Sequence, residues 1–294
     1  MPATLPLVAV RSLHVDARGL RFDALSAGPR DGELVLLLHG FPQMPSSWRA
    51  ALNTLGAAGY RALAPAQRGY SAGASPVDVD AYRLEELCAD VLAIADEQRA
   101  SRFHVIGHDW GGVVAWALAA DHPDRVATLT ALSTPHGAAM RAALAGTQQR
   151  LRMSYIAVLR MPMIPEMLFD AGGGMVAESA LALTGLDRRA AHREVVALRK
   201  LGPTGALNWY RALARGALRR RPPVVVPTLH VWGDHDVAFG REATELTAEH
   251  VEGEYHLVEL EGGTHWIPEQ HWDDIQDLVV EHLQSNPITK PAPG

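Results

Sequence analysis

The feature that most constrains the fold is a regular alternation of short aliphatic runs with amphipathic stretches. Two runs, Glu33 to Leu38 and Phe103 to Ile106, are mostly apolar and end at glycine-containing turns, as expected for strands buried on both faces. Between them, Leu84 to Ala95 carries apolar residues at the spacing of one helix face. Strands that alternate with helices predict an α/β protein with a mostly parallel central sheet covered by helices.

The same alternation continues on both sides of one interruption. Further strands are predicted at Tyr60 to Leu63, Val126 to Leu132, Val224 to Trp232 and Tyr255 to Leu260. Helices are predicted from Trp110 to about Ala120 and, near the end of the chain, along the apolar stripe from Ile275 to Leu283.

Residues 137–221 form the interruption and have only helical periodicity. The predicted helices there are Gln149 to Leu159, Met175 to Leu183, Arg188 to Leu201 and Ala206 to Leu218. About 85 residues without a strand are too many for one crossover connection, so we expect an inserted all-helical cap. The predicted organisation is a first core part at 1–136, the cap at 137–221, a second core part at 222–285 and a flexible tail at 286–294.

Composition excludes several classes of function. The chain has 27 basic and 33 acidic residues without a basic block, so no nucleic-acid partner is expected. No apolar run approaches the roughly 20 residues that span a bilayer, and residues 1–10 lack the basic start of a secretory signal. Cys88 is the single cysteine, which excludes an intrachain disulfide and fits a reducing compartment. We therefore expect a cytoplasmic protein without a membrane span.

The strongest local motif is the sequence GHDWGG at residues 107–112, between a predicted strand and a predicted helix. A nucleophile elbow requires this arrangement, because the nucleophile occupies a strained turn and small residues on both sides let strand and helix approach closely. Asp109 is then the nucleophile. The alternative is a glycine-rich helix start with Asp109 as its N-cap.

Two further groups follow other strands, where such a site requires them. The sequence HGFP at residues 39–42 can bring a backbone N–H towards the elbow. Asp234 and Asp236 follow the predicted strand that ends at Trp232, and His265 follows the predicted strand that ends at Leu260. This gives the chain order nucleophile, acid, base. No spacing typical of a metal site accompanies these residues, so no metal is expected.

These motifs resemble those of the α/β-hydrolase superfamily over nearly the whole chain, and most of all those of epoxide hydrolases with a helical cap. The motifs are HGFP at His39, RGY at Arg68, GHDWGG at Gly107, GDHD at Gly233 and GTHW at Gly263. The resemblance implies the branch with an aspartate nucleophile, which also contains haloalkane and haloacid dehalogenases. It favours Asp236 over Asp234 as the partner of His265, and leaves Asp234 as a turn residue.

An aspartate nucleophile limits the chemistry. A carboxylate is already anionic at neutral pH, and its attack on a saturated carbon gives a stable alkyl ester, whereas attack on an acyl group would give a labile anhydride. Asp109 therefore indicates an epoxide or an alkyl halide as substrate. His265, oriented by Asp236, would then activate water against the ester, while the backbone N–H groups of Phe41 and Trp110 hold the oxyanion. No organic cofactor is needed.

The cap distinguishes the two substrate classes. An epoxide oxygen leaves as a basic alkoxide unless an acid protonates it, and a tyrosine is such an acid at neutral pH. The resemblance implies two cap tyrosines, here Tyr155, which stands seven residues before Pro162, and Tyr210 in the segment NWYR. A cap aromatic can also be ordinary core packing. The two together favour an epoxide as the small-molecule partner, with water as the second reactant.

Three alternatives stay open from sequence. A dehalogenase can use the same scaffold, although Phe41 has no side-chain donor for a halide. A binding protein could keep the fold without turnover, and a homo-oligomer is possible.

A group of cap side chains also suggests an adaptable apolar pocket; its members are Met153, Met161, Met163, Met167 and Leu168.

Overall fold

The centre of the fold is a mostly parallel sheet, seen in a computed structural model that describes residues 8–213 and 220–288. Over these residues the sheet has eight strands in the order β1-β2-β4-β3-β5-β6-β7-β8, and only the pairs β1-β2 and β2-β4 are antiparallel. The strands are β1 (Arg11–Ala17), β2 (Leu20–Ala27), β3 (Leu34–Leu38), β4 (Arg61–Pro65), β5 (Phe103–His108), β6 (Val126–Leu132), β7 (Thr228–Gly233) and β8 (Tyr255–Leu260). The predicted α/β architecture is confirmed.

Helices cover both faces of this sheet. They are α1 (Arg49–Ala57), α2 (Leu84–Glu97), α3 (Trp110–Asp121), α11 (Arg241–Leu246), α12 (Ile267–Gln270) and α13 (Trp272–Gln284). Every residue of β3 is buried, with Leu36 in the core on the side of α2 and α3 and Leu37 in the core on the side of α1 and α13. Two-sided burial explains why β3 is a continuous apolar run in the sequence.

Between β6 and β7, the described chain contains helices and no strand. These helices are α4 (Gly137–Ala143), α5 (Thr147–Arg152), α6 (Tyr155–Leu159), α7 (Ile164–Asp170), α8 (Met175–Leu183), α9 (Arg188–Leu201) and α10 (Thr204–Ala212). The bounds of α8 and α9 agree with the sequence prediction. The helical part of the chain begins within a few residues of β6, and we refer to 137–212 as the cap helices.

The structure differs from the prediction at the helix Gln149 to Leu159 and at the strand from Val224, and it contains cap helices, α4 and α7, that were not predicted. The helix predicted at Gln149 to Leu159 is two helices, because the chain leaves helical geometry at Met153 while the apolar spacing continues across the turn. Sequence analysis missed α7, whose second residue is Pro165, because a proline commonly interrupts a helical pattern although it is well tolerated in the first turn of a helix. The last predicted strand before α11 begins at Thr228 rather than Val224, because Pro227 has no N–H for the sheet.

Several predictions concern residues outside the described ranges. Residues 214–218 of the predicted last cap helix and residues 289–294 of the predicted tail lie there, as do residues 1–7. Within the ranges that are described, no helix is both long and apolar enough to cross a membrane.

Candidate active site

Asp109 occupies the sharp turn between β5 and α3. Its backbone has φ 50° and ψ −120°, a conformation that a residue with a side chain rarely adopts. A Cβ at Gly107 would lie 2.4 Å from the carbonyl oxygen of Gly111, and one at Gly111 would lie 2.0 Å from that of Leu38. Only glycine at both positions allows this turn. The Asp109 side chain makes no helix-capping hydrogen bond, so the N-cap interpretation is not supported.

Two backbone N–H groups are directed at the Asp109 carboxylate. The Phe41 N–H donates to Oδ1 at 2.8 Å, and the Trp110 N–H is also directed at the carboxylate. Gly40 makes this approach possible, because a Cβ there would lie 2.4 Å from the Cβ of Asp109. The Asp109 carboxylate thus lies where two backbone donors can stabilise a developing negative charge, as an oxyanion hole does.

His265 follows β8 and forms a pair with Asp236, which follows β7. The distance from His265 Nδ1 to Asp236 Oδ2 is 2.9 Å. The other carboxylate oxygen, Oδ1, accepts hydrogen bonds from the N–H groups of Ala238 at 2.7 Å and Phe239 at 2.8 Å. Asp236 is almost fully buried, and the two N–H groups fix its carboxylate. The fixed carboxylate in turn holds the imidazole ring in one orientation.

The free nitrogen of His265 faces the Asp109 carboxylate. His265 Nε2 lies 3.8 Å from Asp109 Oδ2, too far for a direct hydrogen bond. Asp234 is turned elsewhere, and its Oδ1 accepts a hydrogen bond from the Gly262 N–H at 2.8 Å. The structure therefore brings Asp109, His265 and Asp236 together and leaves Asp234 in a turn.

Burial and charge shift the pKa values of this group. Burial raises the pKa of Asp109, and the nearby His265 and the N–H donors of Phe41 and Trp110 only partly offset it. Burial alone would lower the pKa of His265, but the carboxylates of Asp236 and Asp109 outweigh it and raise that pKa above its ordinary value. The site therefore couples an aspartate and an imidazole whose charges favour each other.

Both cap tyrosines lie beside Asp109. Tyr210, on α10, is buried and packs edge to face against the rings of Phe41 and Trp110, with centroid distances of 5.1 and 5.2 Å. Tyr155 begins α6 and is 39% exposed, although its hydroxyl is withdrawn from bulk water and interacts with that of Tyr210. Burial and the nearby Asp109 charge raise the pKa of both phenols, so both stay protonated at neutral pH.

The RGY turn positions the helix that carries Tyr210. Gly69 has φ 90°, and a Cβ there would lie 2.6 Å from the carbonyl carbon of Gly205, so the turn and α10 touch backbone to backbone. The indole N–H of Trp209 donates to the carbonyl of Arg68 at 2.7 Å. The Arg68 guanidinium is itself held by Asp90 through two bonds of 2.6 Å. A buried ion pair in the core thus places a cap helix.

Arg211 connects α10 to the segment that follows Tyr155. Its guanidinium contacts both carboxylate oxygens of Glu166 at 2.8 and 2.9 Å. It also donates to the carbonyl of Met161 at 2.9 Å and to Asn208 Oδ1 at 3.1 Å. The two tyrosines are therefore linked by their supporting helices as well as by their hydroxyls.

Sequence analysis missed a buried polar network behind the site. His108 Nδ1 lies 2.7 Å from Gln43 Oε1, and His108 Nε2 lies 2.7 Å from the carbonyl oxygen of His265. The Gln43 amide donates to Glu269 at 2.6 Å, and burial raises the pKa of Glu269 to about 8. The adjacency of His108 to Asp109 and of Gln43 to the HGFP motif was the available signal. The network connects the loop of Phe41 to that of His265.

Two side chains of α5, which sequence analysis also missed, hold the loop that contains Asp236 from the cap side. Gln149 is buried, donates to the carbonyl of Ala238 at 2.8 Å and accepts from the N–H of Gly240 at 2.9 Å. Arg152, one turn further along α5, donates to the carbonyl of Asp236 at 2.5 Å. Periodicity showed only that α5 is a helix, because the partner loop is far away in sequence.

A cavity of about 420 Å³ opens onto these groups. It contains Asp109, His265 and both tyrosines, and most of its other lining is apolar. Leu168 lines it, whereas Met163 and Met167 are mostly exposed on the surface, so the predicted methionine pocket is wrong in most of its members. Over the described residues, no cluster of three or more His, Cys, Asp or Glu side chains could hold a metal ion.

Comparison with known proteins identifies a family with this fold. Residues 33–271 match the family model of the α/β hydrolase fold. The chain is 34% identical to the AB hydrolase superfamily protein YfhM of Bacillus subtilis over 94% of its own length and 99% of that protein. It is 31% identical to epoxide hydrolase A of Mycobacterium tuberculosis over 92% of its own length and 96% of that protein.

A solved structure gives the same result. The crystal structure of epoxide hydrolase A from Mycobacterium thermoresistibile superimposes with a TM-score of 0.79 and 26% identity, over 96% of this chain and 100% of that one. The fold and site define a hydrolase built on a mostly parallel sheet with helices inserted after β6. The chain belongs to the α/β-hydrolase fold family, which confirms the resemblance inferred from its motifs.

Proposed function

We propose that this protein is an epoxide hydrolase that converts an epoxide to a vicinal diol through an ester on Asp109. The observation that carries this proposal is the position of two protonated phenols, Tyr155 and Tyr210, beside a buried aspartate in one apolar cavity. The epoxide hydrolases among the similar proteins support the same reaction.

In the first step, Oδ2 of Asp109 attacks a ring carbon. Oδ1 is engaged by the Phe41 N–H at 2.8 Å, whereas Oδ2 faces His265 Nε2 at 3.8 Å, so Oδ2 is the attacking oxygen in this proposal. The bond from Oδ2 to carbon forms as the bond from carbon to the ring oxygen breaks. A phenol of Tyr155 or Tyr210 donates its proton to the departing oxygen, so no free alkoxide is released.

In the second step, water attacks Cγ of the ester. His265 Nε2 takes a proton from this water, and the carbonyl oxygen Oδ1 becomes an oxyanion held by the N–H groups of Phe41 and Trp110, each worth about 3 kcal/mol. Collapse of this intermediate expels the diol oxygen, which takes the proton from His265. The proton left on Asp109 returns to the tyrosinate through solvent, and the sum is epoxide plus water to diol.

A dehalogenase is the second candidate, because the same nucleophile can displace a halide. Two phenols at the leaving-group side favour an oxygen that must be protonated, and Phe41 offers no side-chain donor to a halide. A panel of small haloalkanes separates the two functions: the epoxide proposal expects diol formation without comparable halide release. A non-catalytic binding protein would bind epoxides and release them unchanged.

The decisive experiment is intact-protein mass spectrometry of a His265→Ala variant exposed to a terminal epoxide. We expect an added mass equal to that of the epoxide, located on the peptide that contains Asp109, with kcat reduced by about 10⁴-fold. His256→Ala is the matched control, since His256 is exposed and pairs only with Glu254 at 2.8 Å. Absence of the adduct at saturating epoxide would overturn the mechanism.

A further inference from the structure

A second, smaller cavity touches the same reacting groups. Its volume is about 110 Å³, and it shares Asp109, Tyr155 and Tyr210 with the cavity of about 420 Å³. We call the two spaces the small chamber and the large chamber. The three shared side chains therefore stand between two spaces of unequal size.

The walls of the two chambers otherwise consist of different residues. The small chamber is bounded by apolar side chains that include Val113, Leu144, Met153, Ile156, Leu213 and Phe239. The large chamber is bounded by others, among them Phe41, Leu159, Leu168, Leu181, Val237 and Trp266. Among the described residues, Asp109 is the only charged side chain that lines the small chamber, so this chamber suits hydrocarbon.

We infer that the preferred substrates are internal epoxides with one long and one short apolar substituent. This inference rests on the proposed function. When the ring lies between Asp109 and the phenols, substituents extend from both ring carbons, and each needs a space of its own. A terminal epoxide fills only one chamber and leaves the apolar wall of the other without a partner.

The two volumes set the sizes of the substituents. An apolar cavity of about 150 Å³ is large enough for benzene, so the chamber of about 110 Å³ suits a short alkyl group better than an aryl group. The large chamber has nearly four times that volume and accommodates an aryl group or a chain of six or more carbons. Burying one methylene group raises the equilibrium constant for transfer from water into an apolar cavity by a factor of about four.

The test is a series of trans epoxides with a fixed hexyl group on one carbon. The other carbon carries hydrogen, methyl, ethyl, propyl or phenyl, and diol formation gives kcat/KM for each. We expect kcat/KM to rise about fourfold per added carbon as far as propyl and to fall at least 100-fold for phenyl, because overfilling a packed site is unfavourable. A steady fall from hydrogen onward would overturn the inference.

Variants in the small chamber test its role directly. Ile156→Phe and Leu144→Phe should each lower the ratio of kcat/KM for the propyl epoxide to that for the terminal epoxide by at least about 30-fold. The ratio is measured on one enzyme preparation, so general loss of folded protein cancels. Leu183→Phe is the matched control, because Leu183 is 87% exposed on α8.

The outcomes separate this inference from the proposed function. Hydrolysis of the terminal epoxide with an unchanged ratio in both small-chamber variants overturns the inference and leaves the epoxide hydrolase proposal standing. Absence of hydrolysis across the whole series, with a folded wild-type protein, overturns both.

Discussion

The two halves of the site are held in different ways. On the sheet side, Asp109 and Asp236 are fixed by backbone N–H groups at 2.7 to 2.8 Å, and both follow buried strands. On the cap side, Tyr210 is held by ring packing against Phe41 and Trp110, and its helix is connected to Glu166 by Arg211. Backbone geometry therefore determines where Asp109 and Asp236 lie, whereas packing between helices determines where Tyr210 lies.

The secondary-structure elements that carry the two halves of the site also differ in burial. Every residue of β3, β5 and β6 is buried, whereas no residue of α6, which carries Tyr155, is buried. Segments with few buried apolar contacts open at lower free energy than core strands. The comparison predicts that ring opening depends on the integrity of the cap helices and that ester hydrolysis depends on the sheet.

The largest effect is expected for Asp236→Asn on the sheet side. The variant keeps the shape of the side chain but removes the charge that raises the pKa of His265, so kcat should fall by about 10⁴-fold. The base acts only when neutral, above its pKa. The acid limb of the kcat profile should therefore move to lower pH, because burial, which lowers this pKa, then acts with less opposition.

Asp234→Asn provides the matched control for that prediction. Asp234 lies two residues away and accepts only the Gly262 N–H in its turn, so its variant should keep the wild-type pH profile. A wild-type profile for Asp236→Asn would contradict the assignment of the acid.

An intermediate effect is expected on the cap side. Tyr155→Phe and Tyr210→Phe should each slow ester formation by about 10 to 100-fold, and the double variant by about 10³-fold or more, since one phenol can still donate when the other is lost. Single-turnover measurements resolve ester formation from ester hydrolysis. Equal slowing of both steps would contradict the division between cap and sheet.

The smallest effect is expected for Arg211→Gln, which loosens the connection between the two tyrosine helices. The variant loses the two-oxygen contact with Glu166, so ester formation should slow by about tenfold while ester hydrolysis changes by less than about twofold. Single-turnover kinetics monitored by tryptophan fluorescence measure both steps. Arg199→Gln serves as control, because Arg199 contacts the exposed Asp170 on the cap surface; if it matched Arg211→Gln, the effect would not be specific.

Sequence analysis was accurate where structure depends on neighbouring residues and less so where it depends on distant ones. The strand β6, the helices α8 and α9 and the elbow at Asp109 agree with the predictions, because periodicity and glycine spacing are local signals. The split of the helix predicted at Gln149 to Leu159 was missed for the opposite reason. Its two halves contact different partners, and α5 is held by a loop almost ninety residues away.

The amino-acid sequence by itself determined that an aspartate occupies the elbow and that a sharp turn presents it. Those depend on which residue stands at position 109 and on steric limits imposed by Gly107 and Gly111, which act over a few bonds. Only the tertiary structure decided that Oδ2 of Asp109 faces His265 and that two unequal cavities lie beside the phenols. Distances and cavities of this kind arise where segments far apart in the chain pack together, and local patterns carry no measure of them.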